Sequence, residues 1–132
     1  MKLLNLRVIL KNKKHFSWTK NFPKLHKEFL GTFPPNIIFH VTCTGLSGTV
    51  FEPNSPSVDE VLDSIKDLND YQKSHIVLRC DPVCPPLFAC DENPEFNSVE
   101  YYENIHKILT FGATNNLRIR ISFMDMYKRV WE

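Results

Sequence analysis

Apolar runs of strand length recur along this chain, and each closes on a cluster of polar residues. Such runs occupy Leu6 to Leu10 or His15 to Thr19, then Asn36 to Cys43, His75 to Arg79 and Leu117 to Met124. The last is the most regular, with Leu117, Ile119, Ile121 and Phe123 alternating against Arg118, Arg120 and Ser122, so the spacing predicts a strand with one packed face and one partly polar face. Between the runs the apolar spacing lengthens to three and four. Ser57 to Asn69 carries Val58, Val61, Leu62, Ile65 and Leu68 on one helical face, and Ser57 with Glu60 forms a capping box. Val99 to Phe111 is introduced by Asn97 and Glu100 in the same relation. Its apolar stripe reads Val99, Tyr102, Ile105 and Leu109, and Gly112 stands where a left-handed cap would stop it. A third, short helix is expected over about Lys24 to Leu30, before Gly31 and Pro34-Pro35.

Strand alternating with helix predicts parallel pairing through crossovers, hence an α/β fold. About four strands and three helices make either a partial (β/α) barrel or a small open parallel sheet. Four units are half of a closed barrel, so two sheet edges would be left to pair with a complementary polypeptide or with a second copy. Asp125 to Glu132 reads as a loop running into a helix that is cut off. The 132 residues are expected to form a single domain with a basic N-terminal segment over residues 1–14. No internal repeat or low-complexity linker interrupts it.

Composition is that of an ordinary globular protein, 42% hydrophobic and 23% charged, which argues against disorder. No apolar stretch approaches the roughly 18 residues that span a bilayer, and Met1 to Leu10 lacks the pattern of a signal peptide, so a cytoplasmic protein without a membrane partner is expected. The net charge of +1 conceals an asymmetry: Lys2, Arg7, Lys11, Lys13, Lys14, Lys20, Lys24 and Lys27 all precede the first acidic residue, Glu28. A basic end can bind phosphate or nucleic acid, although a solvated face is the commoner meaning.

Polar strand ends are where a parallel α/β fold keeps its chemistry, because the crossover helices leave that rim uncovered. The four clusters are Trp18-Thr19-Lys20-Asn21, Thr42-Cys43-Thr44-Gly45, Arg79-Cys80-Asp81-Pro82 and Ser122-Phe123-Met124-Asp125. In the loop from Thr44 to Pro56, Gly45 and Gly48 would let backbone N–H groups approach a ligand, and Glu52 can hold a hydroxyl or an amine. An ordinary connecting loop has the same composition. Arg79 and Asp81 can clamp a carboxylate and a cation, or pair with each other or with Lys20. Lys20 and Asn21 are candidate substrate contacts or simply solvated. Cys80, Cys84 and Cys90 place three thiols in one proline-stiffened loop, able to hold a cluster or, with His75, zinc, but at a spacing that matches no standard signature. Four cysteines in such a chain are expected to be reduced. His40, between Phe39 and Val41, reads as a hydrogen-bonded core histidine. No nucleophile elbow, phosphate loop or zinc-protease helix is present.

The ordered set formed by Trp18-Thr19-Lys20-Asn21, His40 to Gly45 with Glu52-Pro53 and Pro56, Arg79-Cys80-Asp81-Pro82, and Ser122 to Tyr127 resembles the middle of a radical SAM protein, in the spore-photoproduct-lyase-like branch of uncharacterised proteins. The resemblance covers Phe16 to Tyr127. It implies roughly strands three to six of a partial barrel, with Thr44, Glu52, Arg79, Asp81, Ser122 and Asp125 facing a cavity for S-adenosylmethionine and substrate. It also implies a [4Fe-4S] cluster that cleaves the cofactor to a deoxyadenosyl radical, and a nucleic-acid lesion as a substrate class. The family's Cys-x-x-x-Cys-x-x-Cys loop is absent from this sequence. The expectation is therefore a truncated or split radical-SAM-like chain without independent catalysis. Its rivals are a small nucleotide- or nucleic-acid-binding module and an unorthodox metalloprotein ligated by Cys80, Cys84 and Cys90.

Overall fold

Side chains alternate across a strand with period two, so a strand covered by helices on one side must bury every second residue there. The computed structural model describes residues 14–29, 36–49, 51–83 and 97–123, and among them this rule organises one sheet. Strands β1 (His15–Thr19), β2 (Ile37–Thr42), β3 (Ile76–Val83) and β4 (Arg118–Phe123) lie in the order β1-β2-β3-β4, and every adjacent pair is parallel. Of the two candidates for the first strand, His15–Thr19 pairs with β2; Leu6 to Leu10 lies outside the described residues.

Four helices are described: α1 (Phe22–Phe29), α2 (Val58–Lys66), α3 (Asp70–Lys73) and α4 (Ser98–Thr114). The Ser57 capping box opens α2: Ser57 N–H donates to Glu60 Oε2 at 2.7 Å, and Glu60 N–H returns a bond to Ser57 Oγ at 3.1 Å. The apolar phase expected over Ser57 to Asn69 continues to Leu68, yet α2 stops at Lys66. A second capping box, Asn69 with Gln72, starts the one-turn helix α3, which the apolar pattern alone does not reveal.

One face of the sheet carries the core. Phe39 and Val41 of β2 and Ile76, Leu78 and Cys80 of β3 are fully buried there under Phe22, Val61, Ile65 and Ile108 of the helices. Phe22 meets Phe39 edge-on, with ring centroids 6.0 Å apart. Each such side chain contributes about 1.5–3 kcal/mol of gross hydrophobic stabilisation, enough to fix the register, since a one-residue slip would turn the whole row outward. Lys107 also pairs with Asp59 between α4 and α2, but both are exposed, so this contributes at most about 1 kcal/mol.

Helix α4 departs from its expected phase. Its buried residues are Tyr101, Ile105, Ile108 and Gly112, whereas Val99 is 66% exposed and Tyr102 also faces solvent. The cause lies in Gly112, which is inside the helix rather than at its end. A Cβ there would sit 2.6 Å from Ile119 Cδ1 and 2.7 Å from Ile119 Cγ1, so glycine permits the closest approach of α4 to β4 and sets the rotation of the helix. The left-handed residue that follows the helix is Asn116, at φ 53°. Strand β4 is correspondingly covered only at its beginning: Ile119 is partly buried, but Ile121 and Phe123 are exposed despite the regular alternation.

Replacing Gly112 with valine is expected to cost about 1–3 kcal/mol, because the added methyls must displace Ile119 within a packed interface. A urea titration should show a lower midpoint with an unchanged slope; an unaltered midpoint would refute the close approach.

Candidate functional site

The residues left on the other face, and those just beyond the strand ends, are the ones with chemistry. At the end of β1, Thr19 Oγ1 accepts a bond from Asn21 N–H at 3.0 Å, turning the chain into α1. Asn21 Oδ1 then accepts from Lys24 N–H at 3.2 Å, and its carbonyl accepts from Leu25 N–H at 3.2 Å. Asn21 is thus engaged in capping α1, which begins at Phe22 rather than at Lys24. Its neighbour Lys20 reaches across to Glu52, Nζ to Oε1 at 2.6 Å.

Glu52 is brought back to the strand ends by the loop that follows β2. Gly45 (φ +80°) and Gly48 (φ +74°) take the left-handed turns, Gly48 N–H donates to the Glu52 carbonyl at 3.0 Å, and Thr49 Oγ1 donates to the Leu46 carbonyl at 2.6 Å. Thr44, itself buried, donates its hydroxyl to Glu52 Oε2 at 2.8 Å and accepts from Leu46 N–H at 3.3 Å. Both carboxylate oxygens are therefore engaged, one by a buried hydroxyl and one by an ammonium. The two bonds differ in strength. Lys20 is mostly exposed, so its ion pair contributes roughly 0–1 kcal/mol, whereas the partly buried hydroxyl bond to a charged oxygen contributes roughly 1.5–3 kcal/mol. Thr44 holds the carboxylate in place, and Lys20 is exchangeable.

Strand β3 ends beside this group, since Thr42 pairs with Arg79 and Cys43 N–H donates to the Arg79 carbonyl at 2.8 Å. Arg79 donates twice to Asp81 Oδ2, from Nη2 at 2.6 Å and Nε at 3.2 Å. Of the pairings open in the sequence, Arg79 takes Asp81 and Lys20 takes Glu52. Ser122 is exposed near the end of β4, and Asp125 lies outside the described residues.

The cysteines divide differently. Cys43 and Cys80 are free and buried on the helix-covered face, where burial pushes the Cys43 thiol up to about 12 and the Cys80 thiol up to about 11; each thiol is further raised by a neighbour, Cys80 for the first and Asp81 for the second. A neutral thiol packed among aliphatic side chains is a core residue. Cys84 and Cys90 lie outside the described residues, and among the described residues no group of three His, Cys, Asp or Glu side chains could hold a metal ion.

His40 also differs from expectation. It is buried, but on the face opposite Phe39 and Val41, stacked on Trp18 (5.1 Å between centroids) and edge-on to Phe16 (5.8 Å); its Nδ1 has no hydrogen-bond partner among the described residues. Burial lowers its pKa below the ordinary 6.5, and Arg79 of β3 with Arg120 and Arg118 of β4 lowers it further, against a small opposing effect of Asp81. The signal for this second polar face was in the sequence: Phe16 with Trp18, Ile38 with His40, and Arg118 with Arg120 share one phase of the period-two alternation.

The family described as a domain of unknown function, DUF1848, matches residues 8–132. No curated protein and no solved structure matches the chain.

Because the folded state holds His40 below its unfolded pKa, the unfolded chain binds more protons just under pH 6.5, and stability must fall as pH drops through that value towards the lowered one. Urea midpoints taken from pH 7.5 down to 5 should decline less steeply in His40→Phe than in the natural protein; equal slopes would show that His40 is not the cause.

Proposed function

The chain belongs to the DUF1848 family of domains of unknown function, and from the geometry of its strand ends we propose that it is a radical-SAM-like partial barrel which binds S-adenosylmethionine at those ends. The observation that carries this reading is the alignment of Lys20, Glu52 held by Thr44, and Arg79 with Asp81 at the ends of three successive parallel strands. The order of these motifs resembles that of the radical SAM proteins, and a fold of this topology binds ligands at this rim.

The donor set suits a zwitterionic adenosyl ligand. An amino group of the ligand can replace the Lys20 ammonium on Glu52, because the displaced pair is weak and its carboxylate is pre-oriented by Thr44. The released Lys20 and the Arg79 fork can then take the ligand carboxylate, with Asp81 holding the guanidinium plane. Glu52, whose side chain is only 13% exposed, sits where water competes little. When bound, S-adenosylmethionine would supply an electrophilic sulfonium and, given an electron, a deoxyadenosyl group.

A [4Fe-4S] cluster does not fit the described donors. Cys80 is a neutral core thiol on the far side of the sheet, so no step through a cluster is assigned to this chain. The proposed role is binding and orientation of the adenosyl ligand.

Isothermal titration with S-adenosylmethionine should show saturable binding that Glu52→Gln weakens about tenfold or more, with Thr44→Val smaller in effect. Absence of saturable binding, or a Glu52→Gln variant that is folded by circular dichroism and binds as well as the natural protein, would refute the proposal.

A further inference from the structure

The polar face of the sheet holds a second feature, nearer the beginnings of the strands than the Glu52 cluster. An open groove of about 490 Å³ runs across it, lined by Phe16, Ile38, His40, Val77, Arg118 and Arg120. Its two ends differ in chemistry. At the β1–β2 end Phe16 is 53% exposed, and it stands edge-on to His40, which stacks on the 60% exposed Trp18. At the β4 end are two exposed arginines. Arg118 gives one donor to the Ser74 carbonyl at 2.7 Å, while Arg120 has no ion-pair partner among the described residues. No acidic side chain is among the described residues that line the groove, and Asp81, the nearest carboxylate along β3, is occupied by Arg79.

We infer that this groove binds a mononucleotide, with the base against Phe16 and the His40 edge and the phosphate on Arg118 and Arg120. Three physical points support that occupant. The volume lies within the usual range for small-molecule sites. Exposed aromatic rings offer a face to any planar base, and planar guanidinium groups bind phosphate through paired donors. Two to three strand spacings, about 10–14 Å, separate the aromatic end from the arginine strand, and the reach of the arginine side chain reduces this to the span from base to phosphate of one nucleotide. A groove of this volume with one aromatic end and one cationic end matches one nucleotide rather than a track of several.

His40, which lines the groove, is itself buried, and its Nδ1 has no hydrogen-bond partner among the described residues. Burial first, and then Arg79, Arg120 and Arg118, hold its pKa below the ordinary 6.5, so positive charge at neutral pH is left to the other end of the groove. The inference does not rest on the strand-end site: Glu52 is not among the groove's lining residues.

Trp18 provides the readout. In a Trp131→Phe background it is the remaining tryptophan, and its fluorescence can be followed as adenosine monophosphate is added, with equilibrium dialysis as an independent measure. Saturable binding is expected, weakened about tenfold or more by Phe16→Ala and by Arg120→Ala, and unchanged by Glu52→Gln. Adenosine alone and ribose 5-phosphate alone should each bind less tightly than the intact nucleotide. The inference is overturned if the nucleotide does not saturate, or if folded Phe16→Ala and Arg120→Ala variants bind as the parent does. It is equally overturned if a short single-stranded oligonucleotide binds with steep salt dependence while the mononucleotide does not. Sedimentation of a dimer that Phe16→Ala dissociates, with no nucleotide binding, would instead assign the face to a second copy.

Discussion

Everything chemical about this protein depends on the helix-covered face of β2 and β3. Once Phe39, Val41, Leu78 and Cys80 are buried beneath Phe22, Ile65 and Ile108, the two-residue period of the strand sends His40, Thr42, Arg79 and Asp81 to the opposite side. The parallel register then aligns the strand ends, Thr42 beside Arg79, so the chain leaves the sheet at one rim on consecutive strands. The apolar core does not merely stabilise the fold; it decides which polar groups meet.

The two polar regions created in this way differ in how their charge is handled. At the strand ends, charge is paired: Lys20 with Glu52 and Arg79 with Asp81, in part-buried settings where an unpaired carboxylate would be costly. On the sheet face it is left unbalanced, with Arg118 and Arg120 beside a neutral His40 and two exposed aromatic rings. A paired site can exchange a partner for a zwitterion with little net change in charge, whereas an unbalanced cationic face gains most from an anion. The chemistry of the two regions therefore selects different ligands.

Much of this was legible in the sequence, because apolar periodicity and capping boxes are local signals. Strands β2, β3 and β4, the Ser57 cap and the loop from Thr44 to Pro56 follow from spacing and residue type alone, whereas the first strand was one of two candidates that only its pairing with β2 separates. What was not legible depended on contacts distant in the chain. The phase of α4 could not be read from its own apolar stripe, since Gly112 against Ile119 rotates the helix and leaves Val99 in solvent. Asn21 looked like a free strand-end side chain but is engaged as a helix cap, and Cys80, adjacent to Asp81 in sequence, faces the opposite side of the strand. His40 shows the limit most clearly. Apolar neighbours made it resemble a core residue, yet period two places it with the arginines, and only the four-strand register reveals that Phe16 and Trp18 surround it.

In the proposed function, Glu52, Thr44, Lys20 and Arg79 form one ligand site at the rim of the sheet. A residue-resolved NMR titration of isotopically labelled protein with S-adenosylmethionine tests it most directly. Backbone amide shifts are expected to change at Lys20, across Thr44 to Glu52, and from Arg79 to Asp81, with α3 unaffected. Saturation of the ligand with no change at those amides, or with changes confined to other parts of the chain, would contradict it.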